Sequence, residues 1–311
     1  MDMSVVIPVF NEANGLPELY NRVTRVLGNL NLRYEIILVD DGSTDASREI
    51  IKTFHERDPQ ICGLFLSRNF GHQTAISAGL HYAQGQIIVI MDADLQDPPE
   101  ILPQFFSKIQ EGYDVVYGIR RKRKENIWKR FTYYLFYRML NHLSDSPMPL
   151  DSGDFCAMTR RIVDHLKAMP ERHRFLRGLR AWSGYRQTGI EYERDSRYAG
   201  SSKYTLSKLF NLALDGLISF SAIPVRLIIQ FGFFTAFTSF FIGLTYLVLK
   251  IFDIGTWPSG FATLFLLIAF LGGIQLITIG MIGEYVGRIH LEVKQRPLFL
   301  ISEYIGIKQQ T

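Results

Sequence analysis

Apolar runs rich in β-branched residues recur along the first third of the chain. They read SVVIPV near residue 4, YEIILVD near 34, ICGLFLS near 61, QIIVIMD near 86 and DVVYG near 114, and segments of helical length separate them. Strands that are apolar throughout and alternate with helices are typical of a parallel sheet covered on both faces. The pattern therefore predicts an α/β domain built on a mostly parallel sheet.

Two long uncharged runs follow towards the C-terminal end. Residues 227–249 and 254–283 contain no Asp, Glu, Lys or Arg. Each run exceeds the ~20 residues that a helix needs to cross the ~30 Å hydrocarbon layer of a membrane. A buried helical hairpin is the alternative, but the first run has apolar side chains on every face, whereas a soluble helix normally keeps a polar stripe. We interpret both runs as transmembrane helices.

Charges near the ends of these runs predict their orientation. The cations on one side are Lys208, Arg226, Arg288, Lys294 and Arg296. The short connection contains Lys250, so the positive-inside rule places the large N-terminal part and the C-terminal tail in the cytoplasm. We divide the chain into an α/β domain over 1–200, interfacial helices over 201–225, two spans over 226–283 and a tail over 284–311.

Two segments have the pattern of helices that lie in a membrane interface. Residues 126–143 combine a basic beginning with an aromatic stripe. Residues 202–224 lead into the first span, and Pro224 is expected to end that helix. For the first segment, an amphipathic helix of the core remains the alternative.

The charged residues and the cysteines predict an anionic ligand and a reducing environment. The formal net charge is +4, and much of it comes from one cluster. The cluster consists of Arg120, Arg121, Lys122, Arg123, Lys124, Lys129 and Arg130. Such a density of cations predicts an anionic ligand, for which phosphate is the simplest candidate. Cys62 and Cys156 show no metal-ligand spacing and no disulfide framework, which agrees with a reducing cytosol.

Three of the expected strands end in the acidic segments PVFNE, VDDGSTD and MDADLQD. Because ligands bind at the carboxyl ends of parallel strands, we expect these segments to meet at one edge. In the second segment, we interpret Asp45 as a helix cap. Asp40 and Asp41 either accept hydrogen bonds from a base or ribose or belong to a solvated turn.

In the third segment, Asp92, Asp94 and Gln96 alternate along the chain. If the extended conformation persists beyond the strand, all three side chains lie on the same side. Two carboxylates in one place would repel each other and any phosphate, so the arrangement predicts a divalent cation between them and an anionic ligand. Oxygen ligands favour Mg²⁺ or Mn²⁺.

Two further segments carry candidate chemistry. In LDSGDF, Asp151 and Asp154 either cap a turn, or Asp154 is a catalytic carboxylate that faces the acceptor. In RYAGSSKYTLSKL, a loop of small residues joins Arg197 to Lys203 and could fold over a pyrophosphate. Basic residues before a membrane helix also act as topology determinants, so that alternative stays open.

Together, VVIPVFNE, VDDGSTD, SRNFGHQTAISAGL, MDADLQDPPE, SGDF and RYAGSSKY resemble the motifs of the polyprenyl-phosphate glycosyltransferases. This family is a membrane-bound branch of the family 2 glycosyltransferases with the GT-A fold, and it includes dolichol-phosphate mannose synthase and the bactoprenol glucosyltransferases. The match runs in order over residues 3–225, and two C-terminal spans fit the bactoprenol branch. The resemblance implies a Rossmann-like GT-A fold and inverting transfer of a sugar from a nucleoside diphosphate to polyprenyl phosphate.

The resemblance also implies roles for individual residues. Those for the donor are Pro8, Phe10, Glu12, Asp40 and Asp92 at the nucleotide, with Arg197 and Lys203 at the pyrophosphate. Those for the metal are Asp94 and Gln96, with Asp92 beside them. Asp154 and Asp94 are assigned to the reacting centre. Arg120 and Arg130 are expected to bind the acceptor phosphate, although Lys129 could take the place of Arg130.

The expected ligands are a nucleotide sugar, Mg²⁺ or Mn²⁺, and a polyprenyl phosphate such as undecaprenyl phosphate. UDP-glucose is the first choice of donor, while mannose from GDP-mannose or an aminosugar stays open. The second span contains small residues that permit close helix packing and predict a homo-oligomer. They are Gly272, Gly273, Gly280 and Gly283. We expect no nucleic-acid partner and a location in the bacterial inner membrane.

Three other functions compete with this interpretation. A nucleotide-dependent oxidoreductase would have G-x-G-x-x-G after its first strand, where this chain has PVFNEANG. A processive polysaccharide synthase would need a membrane channel, for which two spans per protomer are few. A non-enzymatic membrane scaffold or lipid carrier would use the spans but gives no reason for three acidic strand ends.

Overall fold

The computed structural model describes residues 1–121, 152–172, 174–193 and 261–307, together with scattered positions between 230 and 252. The chain divides into two compact units. Met1–Gly216 and Pro297–Thr311 belong to the first unit, and Leu217–Arg296 forms the second. The segments predicted to be interfacial helices, 126–143 and 202–224, lie outside the described residues.

An eight-stranded mixed sheet is the centre of the first unit. The strands are β1 (Met3–Val9), β2 (Tyr34–Asp40), β3 (Ile61–Leu66), β4 (Ile87–Ile90), β5 (Val115–Arg121), β6 (Ser152–Thr159), β7 (Gln187–Glu193) and β8 (Ile301–Ile305). Their order across the sheet is β7-β5-β6-β4-β1-β2-β3-β8. β1 is parallel to β2 and β4, β2 is parallel to β3, and β5 is parallel to β7, whereas β6 and β8 run antiparallel to their neighbours. All five strands expected from the apolar runs are present, which confirms the predicted mostly parallel sheet.

Helices connect the strands on both faces of the sheet. The helices of the first unit are α1 (Leu16–Asn29), α2 (Ser47–Arg57), α3 (His72–Tyr82), α4 (Leu102–Gln110), α5 (Arg160–Ala168) and α6 (Leu176–Trp182), and a 3₁₀ turn covers Pro99–Ile101. Alternate residues of β1 face opposite layers. Ile7 belongs to the core cluster that includes Leu19 and Val23 of α1, whereas Val6 packs against Gly79 of α3.

The C-terminal end returns to the sheet as a strand that was not predicted from the sequence. β8 pairs antiparallel with β3 at the edge, and Glu303 forms ion pairs with Arg48 at 2.8 Å and Lys52 at 3.2 Å. The Cys62 thiol donates to the carbonyl of Gly306 at 3.3 Å. The segment predicted as a cytoplasmic tail over 284–311 therefore includes a strand of the α/β unit.

One long apolar helix is described in the second unit. This helix, α7 (Phe261–Val293), contains a stretch, Phe270–Val293, that is long and apolar enough to cross a membrane by length and composition. The helix continues beyond the predicted boundary at residue 283 and ends at Val293. In this extension, Glu284 and Arg288 lie one turn apart and form an ion pair of 3.0 Å. The other predicted span, 227–249, lies mostly outside the described residues.

Candidate active site

The loops that follow β1 and β2 hold each other at the carboxyl edge of the sheet. The N–H of Asn11 donates to Oγ of Ser43 at 3.0 Å, and Oδ1 of Asn11 accepts from the N–H of Thr44 at 2.8 Å. The N–H of Glu12 donates to Oγ of Ser47 at 3.1 Å. These bonds satisfy backbone groups of both turns and fix the segment after β1 against the end of β2.

Asp45 has a structural role in the same two loops. Its carboxylate accepts from the N–H of Ala13 at 3.1 Å and from the N–H of Ser47 at 3.0 Å. The N-cap residue of α2 is Ala46, so the interpretation of Asp45 as the cap residue is wrong by one position. The side chain nevertheless satisfies the first N–H of the helix, as a capping group does.

Asp40 and Asp41 lie at the end of β2 and are both buried, with exposed fractions of 1% and 3%. Asp40 accepts from the N–H of Ser43 at 3.2 Å, whereas Asp41 accepts from the N–H of Phe70 at 2.7 Å and of Gly71 at 2.9 Å. Burial raises the pKa of both carboxyl groups, and these hydrogen bonds oppose the rise. Their burial contradicts the alternative of a solvated turn, and Asp41 fixes the loop that leads into α3.

The segment after β4 is a turn rather than a continued strand, so the expected extended conformation is wrong. Its side chains still alternate, because Asp92, Asp94 and Gln96 are partly exposed while Leu95 is 2% exposed. Leu95 has a φ of 59°, an uncommon conformation for a bulky residue, and the N–H of Gln96 donates to Oδ1 of Asp94 at 3.2 Å. The turn therefore leaves the three polar side chains partly exposed, and their position on one side of the segment stays a prediction.

Asp154 comes to this place from an antiparallel strand. β6 pairs with β4 so that Cys156 lies opposite Ile90. Continuing that register by two residues places Asp154 opposite Asp92, just beyond the end of β4. The antiparallel strand thus brings two carboxylates together that lie far apart in the sequence.

The carboxylate of Asp154 is 7% exposed and accepts hydrogen bonds from two other side chains. Nε of Arg177 donates to Oδ1 at 2.8 Å and Nη2 donates to Oδ2 at 3.0 Å, which makes a bidentate pair. Nε2 of Gln73 donates to Oδ2 at 3.1 Å, and Oε1 of the same amide accepts from the N–H of Leu176 at 3.1 Å. Asp154 is therefore held by α3 and α6 together.

His72 lies between two of these carboxylates. Its Nε2 is 3.4 Å from Oδ1 of Asp92 and 3.6 Å from Oδ2 of Asp154. His72 is the first residue of α3 and follows Gly71, which has a φ of 99° and is held by Asp41. The second aspartate of VDDGSTD thus places this imidazole.

The environment separates the protonation states of the three groups. Burial lowers the pKa of His72, but the carboxylates of Asp154 and Asp92 outweigh this effect and raise it to about 9. Burial raises the pKa of Asp92 to about 6, although the His72 charge opposes it. Burial would also raise the pKa of Asp154, but the charge and hydrogen bonds of Arg177 and the nearby His72 hold it well below its usual range. At neutral pH, the group contains a cationic imidazole beside an ionised Asp154.

The structure brings some of the expected site residues to one edge and leaves others undescribed. Pro8 lies in β1, and Phe10 and Glu12 follow it. Asp40 ends the neighbouring strand β2, and the segment after the other neighbour, β4, contains Asp92, Asp94 and Gln96. Arg120 belongs to β5, but its side chain is outside the described part. The other expected phosphate-binding residues, Lys129, Arg130, Arg197 and Lys203, also lie outside the described residues.

Three residues of the site were missed from the sequence. They are His72, Gln73 and Arg177. A signal existed for the first two, because the quoted motif SRNFGHQTAISAGL follows a parallel strand and so starts at the edge where ligands bind. Arg177 gave no such signal, since its position depends on where a short helix packs.

The polar side chains after β4 fit an ion that shares its coordination with a phosphate ligand. Within the described ranges, no three His, Cys, Asp or Glu side chains form a group that could hold a metal alone. Oδ1 of Asp92 is nevertheless buried without a hydrogen bond from any described residue. Mg²⁺ is commonly held by one or two carboxylates together with substrate phosphates. The donor set of Asp92, Asp94 and Gln96 matches that requirement.

Comparison with known proteins agrees with this arrangement. The sequence profile described as glycosyl transferase family 2 matches residues 4–167. The chain belongs to glycosyl transferase family 2. A Synechocystis glycosyltransferase is 43% identical to this chain over 309 residues, which cover 99% of this chain and 97% of the relative. Bactoprenol glucosyl transferase of Shigella phage SfII is 40% identical over 304 residues, which cover 97% of this chain and 98% of the relative.

One solved structure shares the fold of this chain. Glucosyl-3-phosphoglycerate synthase from Mycobacterium tuberculosis aligns with a TM-score of 0.51 and 18% identity, over 68% of this chain and 76% of that chain. The GT-A fold and the family expected from the sequence motifs are thereby confirmed. In this family 2 chain, Asp40 and Asp92 follow the carboxyl ends of β2 and β4, and antiparallel β6 and the start of α3 bring Asp154 and His72 to Asp92.

Proposed function

We propose that this chain transfers a sugar from a nucleoside diphosphate donor to a polyprenyl phosphate, with inversion at the anomeric carbon. The observation that carries the proposal is the meeting of Asp40, Asp92 and Asp154 at one edge of the sheet, next to a cationic His72. Acidic groups at the carboxyl ends of parallel strands suit a nucleotide sugar that is bound with a cation. The product is a polyprenyl-phosphate sugar.

Glucose is the first candidate sugar and UDP-glucose the first candidate donor. Support comes from the Shigella phage relative, whose name states a glucosyl transfer that involves bactoprenol and which is 40% identical to this chain. Mannose from GDP-mannose, or an aminosugar, would require changes in only a few pocket contacts, each worth ~1–3 kcal/mol of discrimination. The acceptor that fits best is undecaprenyl phosphate.

The donor is expected to bind along the ends of β1, β2 and β4. Asp40 is buried beside the turn after β2, where it can accept from a base or ribose, and Pro8, Phe10 and Glu12 line the neighbouring segment. Asp92 is assigned to the nucleotide as well. From outside the described residues, Arg197 and Lys203 are assigned to the pyrophosphate.

A bound Mg²⁺ or Mn²⁺ would neutralise charge on the departing nucleoside diphosphate. Asp94 and Gln96, with Asp92 beside them, are the residues that would hold it. Support comes from the orphaned Oδ1 of Asp92 and from the related fold of glucosyl-3-phosphoglycerate synthase, whose solved complex contains Mn²⁺ and UDP.

The acceptor needs little help with proton transfer. A phosphate monoester has a second pKa near 6, so it is largely dianionic at neutral pH. One of its oxygens can attack the anomeric carbon as the bond to the nucleoside diphosphate breaks on the opposite face. Asp154, whose pKa lies well below the usual range, is a poor proton acceptor and instead supports the positive charge that develops on the sugar. Arg120 and Arg130, or Lys129 in place of Arg130, are assigned to the acceptor phosphate.

The second unit is expected to hold the enzyme in the bacterial inner membrane. No residue of the long apolar stretch Phe270–Val293 is fully buried, and outside the helix's own backbone no described atom lies within 4 Å of a Cβ built on Gly272 or Gly280. Lipid or a second copy of the chain could therefore pack closely against these positions. The catalytic unit and the C-terminal end are both expected on the cytoplasmic side.

Transfer is tested with a panel of radiolabelled nucleotide sugars and undecaprenyl phosphate. The full chain, purified in detergent, should place label in the lipid extract with one donor, and EDTA should abolish the signal until Mn²⁺ or Mg²⁺ is restored. Asp92→Asn and Asp94→Asn should each lower turnover strongly. Asp164→Asn, which removes an exposed carboxylate of α5, is the control and should retain full activity.

Each competing function has its own outcome in this assay. Label in the water-soluble fraction only would reject the lipid acceptor. Elongated saccharide would indicate a processive synthase, and no reaction of any nucleotide sugar would indicate a scaffold or lipid carrier. Full activity after exhaustive chelation would reject the metal role of Asp94.

A further inference from the structure

The contact between Arg177 and Asp154 is directional as well as electrostatic. The planar guanidinium reaches both oxygens of the carboxylate, with donor–acceptor distances of 2.8 Å and 3.0 Å. Two parallel hydrogen bonds fix the plane of a carboxylate, whereas a lysine ammonium would supply a single point charge. Arg177 therefore fixes the orientation of the Asp154 carboxylate and also favours its ionised form.

Gln73 connects the two helices that surround this carboxylate. Its amide nitrogen donates to Asp154 at 3.1 Å, and its amide oxygen accepts from the N–H of Leu176 at 3.1 Å. Leu176 is the first residue of α6, the helix that carries Arg177 one position later. One amide thus ties the start of α6 to the start of α3, where His72 lies. The position of Arg177 is therefore coupled to the position of His72.

Stability alone gives a weak reason for such a pair. A buried ion pair costs desolvation that its attraction barely repays, so an apolar pair of similar volume often serves as well. Arg174, three residues earlier, shows what a structural arginine does in this region. It lies in the loop before α6 and donates to the carbonyls of Leu166 at 2.9 Å and of Met169 at 2.6 Å, at the end of α5.

The location of the pair distinguishes it from Arg174. Asp154 lies opposite Asp92 across the extended register of β4 and β6, and His72 faces both carboxylates. A change in the direction of Asp154 would therefore change the charges at the place where the donor phosphates are expected. Arg177 is not among the residues expected to bind the donor, the metal or the acceptor. Its function is therefore to position the side chains that are.

We propose that Arg177 is a positioning residue for sugar transfer: its bidentate contact fixes the carboxylate of Asp154, and through it the neighbouring imidazole of His72, in the arrangement that the transition state requires. The inference rests on the proposed transfer reaction, which it deepens. A misplacement of about 1 Å in such an arrangement can reduce turnover ~100-fold without loss of substrate binding.

The test uses five forms of the full chain besides the wild type. They are Arg177→Lys, Arg177→Gln, Asp154→Asn, the double variant Asp154→Asn/Arg177→Gln, and Arg174→Gln as the matched control. For each form, kcat and the donor KM are measured with undecaprenyl phosphate, donor hydrolysis is measured without lipid, and thermal unfolding is followed in parallel. Arg174→Gln should lower the unfolding temperature and keep kcat, since the contacts of Arg174 with the described residues are to backbone carbonyls outside the site.

The expected result is a fall in kcat with little change in donor KM. Arg177→Gln should lower kcat about 10- to 100-fold, and Arg177→Lys should fall in between, because lysine restores the charge but not the two-point contact. The double variant should be no slower than Asp154→Asn alone, since Arg177 acts through that carboxylate.

Several outcomes would overturn the inference while leaving the proposed reaction intact. They are an unchanged kcat in Arg177→Gln, a rise in donor KM alone, multiplicative losses in the double variant, or a kcat loss in Arg174→Gln of the same size. If the wild type hydrolyses the donor but transfers nothing to the lipid, the proposed acceptor is wrong. The role of Arg177 is then decided by the rates of donor hydrolysis, for which the variants should show the differences expected above for kcat. A wild type that releases no nucleoside diphosphate would overturn both.

Discussion

Nε2 of His72 lies 3.4 Å from Oδ1 of Asp92, yet that oxygen makes no hydrogen bond with any described residue. The two groups are therefore held together by charge and by their backbones rather than by a directed bond. Such an arrangement leaves the oxygen available to another ligand, and it keeps a cation beside the carboxylate when no such ligand is bound.

His72→Gln should make the metal-free protein less stable and more dependent on a divalent cation. Glutamine is similar in size but uncharged, so Asp92 and Asp154 would lose the positive charge between them. The free energy of unfolding should fall by about 1–3 kcal/mol in EDTA, the cost of leaving a polar group without its partner. Added Mn²⁺ should then raise the unfolding temperature more in the variant than in the wild type.

His165→Gln is the control for this prediction, because His165 stacks on Tyr185 and makes no ion pair with the site carboxylates. It should respond to Mn²⁺ as the wild type does. Equal shifts in His72→Gln and wild type would show that the imidazole does not offset the charge of Asp92.

Asp41→Asn should disturb the loop that places His72. An asparagine keeps one acceptor oxygen, but its amide nitrogen would face one of the two N–H groups, of Phe70 or Gly71, that Asp41 now satisfies. One backbone donor would lose its partner in a buried place, at a cost of about 1–3 kcal/mol of unfolding free energy. Denaturant unfolding measures the loss, and turnover should fall with it.

The matched control is Asp58→Asn, since Asp58 also accepts from a backbone N–H, that of Gln60 at 2.9 Å, but in an exposed turn. Water can replace that bond, so the unfolding free energy should change by no more than ~0.5 kcal/mol. Comparable losses in both variants would contradict the special role given to Asp41.

Gly42→Ala should destabilise the same region by a backbone collision. Gly42 has a φ of 68°, and a Cβ there would lie 2.6 Å from the carbonyl carbon of Arg68 and 2.7 Å from the nitrogen of Asn69. Strain of this kind costs on the order of 1–3 kcal/mol. Gly28→Ala in α1 is the control, because no described residue outside its own helix comes within 4 Å of a Cβ there, and alanine favours a helix by ~0.5–1 kcal/mol. If both substitutions stabilised the protein, the close approach of the two loops would be in doubt.

The parts of this fold that follow from local pattern were predictable from the sequence. The first five strands are largely apolar, and the three acidic strand ends reach one edge because β4, β1 and β2 are neighbours. Asp92, Asp94 and Gln96 are partly exposed between buried residues, although the backbone there is a turn in which Leu95 has a positive φ. That turn could not be read from alternation alone, since a strand and this turn give the same burial pattern.

The parts that depend on distant pairing were not predictable in this way. Asp154 meets Asp92 only because β6 runs antiparallel to β4, and a lone SGDF segment gives no partner or register. Arg177 reaches Asp154 from a helix of seven residues whose start is tied by Gln73. The strand Ile301–Ile305 was not predicted because it is short, follows an apolar helix and is separated from its partner β3 by more than 200 residues of sequence.

Removal of residues 297–311 should destabilise the α/β unit far more than loss of the Glu303 charge. The truncation opens the edge of β3, removes the backbone pairs of β8 and exposes apolar side chains, and open strand edges promote aggregation. In contrast, Glu303→Gln removes ion pairs with Arg48 and Lys52, all three of which are about a third exposed, and such pairs contribute ~0–1 kcal/mol. Denaturant midpoints and light scattering should therefore show a large change for the truncation and little for Glu303→Gln. Similar small effects of both would mean that β8 does not protect the edge in solution, whereas a large effect of Glu303→Gln would mean that charge rather than strand pairing holds it there.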